Sequence, residues 1–183
     1  MATDVSRVRV AVSGAVFKGP TSMTAPSGTS GAPTGATDLG AISDDGVEIE
    51  MPDAGDSTPI KQWDGSTVRT IRSPSEDSPT WTFTMLETSV ESVETYFGVT
   101  VTQTVTEGSF EYTVTNRAHD NYTFDYIDGT VLTRDYVPYG IVTDVDSQKL
   151  ANSDAVRYTV TIAGELDPTL GYNFTRFSTA WKS

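Results

Sequence analysis

The chain contains no cysteine, which excludes disulfides and thiolate metal sites and fits a reducing compartment. Histidine is nearly absent as well: His119 is the single one. Basic charge is scarce, with 12 Lys and Arg against 25 Asp and Glu and a formal net charge of -13. Sequence-specific binding to duplex DNA needs a basic patch that neutralises phosphates. Here the bases are scattered, and Arg7, Arg9, Arg69 and Arg72 are the only close groupings. No apolar run approaches the ~20 residues that cross a bilayer. The first residues lack the charged and apolar regions of a signal peptide, so the protein is expected to stay in the cell that makes it until that cell lyses. Glycine motifs that cradle phosphate are missing too.

Chemistry is hard to find in what remains. His119 lies beside Asp120, and serines are plentiful, but the setting reads as a polar hairpin loop and no Gly-x-Ser-x-Gly turn exists. Paired carboxylates occur at Asp44 with Asp45 and at Asp144 with Asp146. The first pair precedes Gly46, where aspartate is favoured by turn geometry. The second sits on alternate positions at a strand end. No Asp-x-Asp-x-Asp-Gly calcium loop is present. The expectation is no catalytic residue, no cofactor and no metal.

What is present favours pleated sheet. The 183 residues fit one domain and include 8 Tyr, 7 Phe and 3 Trp, residue types that suit strands. Residues 5–12 read as a strand, with Val8, Val10 and Val12 on one face and Arg7 and Arg9 on the other. Residues 19–37 carry three prolines and no apolar period, the pattern of a flexible loop. Val47, Ile49 and Met51 alternate with Glu48 and Glu50. Pro52–Pro59 reads as a second loop, Val68–Arg72 as a strand and Pro74–Pro79 as a third loop. Trp81, Phe83 and Met85 alternate with threonines, giving a strand with one polar face.

One helix follows, over about 88–98. Thr88 and Glu91 form a capping box, Val90, Val93 and Phe97 make an apolar stripe, and Gly98 stops it. Strands are then expected over 99–105 and 110–115, the latter with Phe110, Tyr112 and Val114 on a core face. Tyr122, Phe124 and Tyr126 mark another. Residues 129–137 are extended, Pro138 belongs at an edge or turn, 141–145 is short, and Tyr158, Val160 and Ile162 mark the last long strand. Residues 170–183 form an extended C-terminal arm. The chain is therefore expected to be mainly β: a β-sandwich or partly closed barrel with one flanking helix. Trp63, in a turn-like polar context, and Trp181, near the end, are candidate inter-subunit contacts, since tryptophans anchor interfaces.

The order and spacing of these elements resemble the major tail protein, or tail tube protein, of long-tailed, non-contractile bacteriophages (siphophages). The matching stretches are Leu39–Val47, Ile60–Thr70, Phe83–Gly98 with its passage from strand to helix, and Val156–Gly164 followed by Leu166, Asp167 and Pro168. The resemblance implies a structural virion protein without enzymatic activity. It implies hexameric rings stacked into a tube around a channel for genome passage, with loops and arms bridging successive rings. Implied partners are further copies of the chain, the tape measure, the tail terminator and the tail tip. Assembly would take place in the bacterial cytoplasm, and DNA would pass without specific binding. An acidic channel would repel phosphates, and Glu111, Asp125 and Glu165, opposite apolar faces of their strands, are candidate lumen-facing acids. One or both of the loops 19–37 and 52–59 are expected to order only on stacking. Alternatives are a carbohydrate-binding or adhesin-like β-sandwich at a tail tip and the tube protein of a contractile or secretion system.

Overall fold

The computed structural model describes residues 8–53, 55, 57–73 and 77–182. It is mainly β with one α-helix. The strands, in chain order, are β1 (Ser13–Gly19), β2 (Thr37–Asp38), β3 (Ile42–Glu50), β4 (Ser57–Lys61), β5 (Thr67–Arg72), β6 (Thr80–Met85), β7 (Thr102–Gln103), β8 (Gly108–Ser109), β9 (Asp120–Asp128), β10 (Val131–Val145), β11 (Tyr158–Gly164) and β12 (Thr175–Ser178). Helix α1 (Val90–Phe97) lies between β6 and β7. The main sheet runs β2-β1-β9-β10-β11-β6-β3, with β12 also against β10, while β4-β5 and β7-β8 are separate two-stranded ribbons.

The path folds back on itself at β10. Its first half pairs with β9, and its second half pairs with β11. The bend falls where the β9 register shifts, between Val137 and Gly140. Pro138, which has no N–H for a ladder, sits in this bulge. Gly140 faces Gly164 across the turn of the sheet. A Cβ on Gly140 would come within 2.7 Å of the Tyr122 ring, and one on Gly164 within 2.9 Å of the Trp81 ring. Both glycines are therefore demanded by the aromatic packing rather than by backbone angle.

The two layers meet on an aromatic core. Trp81 and Phe124 stack at 5.6 Å between centroids, and Phe83 meets Phe124 edge-on at 5.7 Å. Val16, Tyr122, Val137, Val160 and Ile162 fill the remaining interior. The alternation read from Trp81, Phe83 and Met85 holds, and its polar partners do useful pairing outside: Thr82 meets Thr161 and Thr84 meets Thr159, each hydroxyl pair at 2.8 Å. The expected β-sandwich is what forms, with no closed barrel among the described residues. Among the described residues no hydrogen bond joins β1 to β3, and the seam between them holds a groove of about 360 Å³.

Several boundaries differ from the sequence reading. Residues 5–7 lie outside the described set, and residues 8–12 are not strand: Val8, Val10 and Val12 are 63–75% exposed, with nothing among the described residues covering them. The chain joins the sheet at Ser13. Pro59 belongs to β4 rather than to a loop. The segments 129–137 and 141–145 merge into one strand through the bulge. The helix is capped one residue later than expected. Ser89, not Thr88, accepts from the Ser92 N–H at 3.1 Å, and the Thr88 hydroxyl lies 3.2 Å from the Tyr158 hydroxyl. Gly98 ends the helix at φ 68°, as its position suggested. Of the strands expected over 99–105 and 110–115, only the short ribbon β7-β8 forms, and Phe110, Tyr112 and Val114 are exposed. Their alternation is genuine, but among the described residues no strand pairs with them. Residues 170–182 hold β12, which pairs with β10, and a closing 3-10 turn at Thr179–Trp181.

Candidate functional site

The surfaces available for assembly begin with the β4-β5 hairpin. Alternation puts Ile60, Arg69 and Ile71 on one face, and Pro59, Val68 and Thr70 on the other. Every described side chain of the two strands is exposed. The turn at its tip is nonetheless tightly built. The Gln62 side-chain amide donates to Asp64 Oδ2 at 2.7 Å and to Ser66 Oγ at 2.6 Å. The Ser66 N–H donates to Asp64 Oδ1 at 2.8 Å, and that bond leads the contacts that hold the Asp64 carboxyl below its usual range. Gly65, at φ 85°, closes the turn with a bond to the Gln62 carbonyl. Trp63 stands on this fixed turn with its side chain wholly in solvent.

A second surface lies at the C-terminal end of α1. Arg117 donates to the Thr95 and Tyr96 carbonyls at 2.9 and 2.7 Å, satisfying acceptors that the helix leaves open. Above it, Tyr96, Phe97, Phe110, Tyr112, Arg117 and Val145 line an open, largely apolar cleft of about 390 Å³. Phe110 packs on Phe97 at 5.0 Å between centroids.

The three acids expected to face a lumen have different settings. Asp125 is buried, and both its oxygens accept from Arg134 at 2.7 Å. Glu165 is about half exposed and lies 2.9 Å from His119 Nε2, whose ring stacks on Tyr139 at 3.8 Å. Glu111 is exposed, between the two aromatics of the cleft. Trp181 is two-thirds exposed on the closing 3-10 turn. The structure brings none of these together with Trp63 into one site. Asp44 and Asp45 are exposed beside Gly46 and share the Ser43 hydroxyl. Among the described residues no group of three or more His, Cys, Asp or Glu could hold a metal ion.

Sequence reasoning missed the charged interior. Arg134 and Asp135 are adjacent on β10 and point to opposite faces of the sheet. Arg134 is 2% exposed and also donates to the Gly28 and Gly31 carbonyls, which ties the 20–36 segment to the sheet. Asp135, fully buried, accepts from Arg176 on β12 and from the Trp81 indole. A signal for the first pair was present. A two-residue turn at Gly129-Thr130 puts Asp125 opposite Arg134, and opposite charges at a cross-strand position stabilise a hairpin.

The family model described as phage tail tube protein matches residues 1–165. None of the curated proteins matches the chain.

Proposed function

The chain belongs to the phage tail tube protein family, a structural component of the virion tail, and we propose from that premise that six copies close into a ring and that rings stack into a tube for genome passage. The observation that carries this reading is the β4-β5 hairpin. An isolated two-stranded ribbon is marginal in water, yet this one has an ordered turn and every described side chain of its strands is exposed. Its energetic return lies in another copy. Among the described residues β3 pairs only with β6, and this open edge supports ring closure, because open edges seek backbone partners and a heterologous contact closes when its rotation is right.

The tube is of the non-contractile type and has no enzymatic role. Its further partners are the tape measure, tail terminator and tail tip, and it assembles in the host cytoplasm. The formal charge of -13 supports a channel along which DNA slides without specific binding. Asp125 is neutralised internally by Arg134, so Glu111 and Glu165 remain as candidate lining. The 19–37 segment, the chain after residue 170 and exposed Trp181 add contacts between copies. Negative-stain microscopy of concentrated protein tests the reading. Rings with six-fold symmetry or tubes are expected, and a monomer at all concentrations would sink it.

A further inference from the structure

Two features of the subunit surface match each other. One is a knob: Trp63, fully exposed on a turn held by Gln62, Asp64 and Ser66. Holding an aromatic in its bound geometry before binding removes part of the ordering cost of association. The other is a hole: the aromatic cleft at the end of α1, whose volume of about 390 Å³ falls within the ~300–1,000 Å³ range of binding pockets. Exposed apolar cavities of this kind mark interaction sites.

Charge agrees with shape. The hairpin from Ser57 to Arg72 carries three bases and one acid in a chain with 25 acids and 12 bases. The cleft is flanked by acids: Val145 in its wall lies between exposed Asp144 and Asp146, and Glu111 lies between Phe110 and Tyr112. Arg117 in the floor can present its guanidinium plane to an indole, a favourable cation–π pairing.

We propose that Trp63 of one copy inserts into the Phe97–Phe110–Tyr112 cleft of a second copy, with Lys61 and Arg69 over the rim formed by Glu111, Asp144 and Asp146. This rests on the tube reading and names the contact that joins successive rings. Glu111 then belongs to the ring contact, leaving Glu165 as the lumen candidate. The cleft also accounts for the exposed aromatic alternation of 110–115, which becomes buried in the assembly.

The test compares assembly of the full chain with that of Trp63→Ala, Tyr112→Asp and the double variant, by sedimentation across a concentration series. Both side chains are exposed in the subunit, so circular dichroism and melting should match the unaltered chain. Each single variant should raise the concentration needed for tubes by about 30-fold, the effect of losing a buried tryptophan anchor. The double variant should be no worse than either single, because the two residues form one contact. Assembly of Trp63→Ala at the unaltered concentration, or additive losses in the double variant, would overturn the docking and leave the tube standing. A chain that stays monomeric in every form would overturn both.

Discussion

A guanidinium that is 2% exposed must find its acceptors inside the protein, and Arg134 finds four: two carboxylate oxygens of Asp125 and the Gly28 and Gly31 carbonyls. Its removal leaves Asp125 charged, buried and unpaired. Arg134→Met should therefore destabilise the subunit by about 3–5 kcal/mol in chemical denaturation. Adding Asp125→Leu should recover most of that loss, because the orphaned charge goes with it. A double variant as unstable as the single would show that the loop anchors at Gly28 and Gly31, not the stranded carboxylate, carry the cost. Tyrosines supply the pH dependence. Burial, the leading cause in each case, raises the ionisation of Tyr122, Tyr126 and Tyr136 above the ordinary tyrosine value. A raised value means the folded state holds its proton more tightly, so this stability is complete below about pH 10, the unfolded tyrosine value, and is lost as pH rises further. In an alkaline titration, tyrosinate absorbance from these rings should appear together with unfolding. Early, independent ionisation of all eight tyrosines would contradict the assignment.

At the scale of elements, local pattern and tertiary pairing can be separated. The helix shows the limit of the first. Thr88 with Glu91 has the capping-box spacing and Ser89 with Ser92 does not, yet the Thr88 hydroxyl is engaged with Tyr158 while Ser89 Oγ receives the Ser92 N–H. Ser89→Ala should cost about 0.5–2 kcal/mol of stability, the usual range for a lost N-cap. Thr88→Ala should cost less, since it removes one half-buried hydroxyl contact and leaves the cap intact. Thermal unfolding of the two variants ranks them, and the reverse order would return the cap to Thr88. The strands β6 and β11 were legible because their alternation largely coincides with burial inside one subunit, whereas β9 buries Asn121, Thr123 and Asp125 as well as the expected Tyr122 and Phe124. The 110–115 segment has the same alternation and was misread as core, because periodicity reports that a face needs covering and does not say by which chain. Val8, Val10 and Val12 were misread for the same reason. Arg134 and Asp135 went unseen because alternation assigns charged residues to solvent, whereas here each meets a partner across the strand.

For the molecule as a whole, the class of fold was readable from composition and element order. The way the layers are joined was not. Two short extended segments separated by a proline suggested two strands, yet Val131–Val145 is one, since a bulge lets Pro138 sit inside a continuous path. That continuity has a mechanical consequence. β10 is a strand common to both layers, so bending or shearing one against the other must deform β10 itself together with the glycine pair at its elbow. A tail flexed in solution should therefore yield at the joints between copies, with each copy behaving as a stiff tile. Cryo-microscopy of curved tubes can measure this. Subunits superposed from the inner and outer sides of a bend should coincide in their sheets, and a systematic change in the angle between the two halves of β10 would show that the tile itself gives.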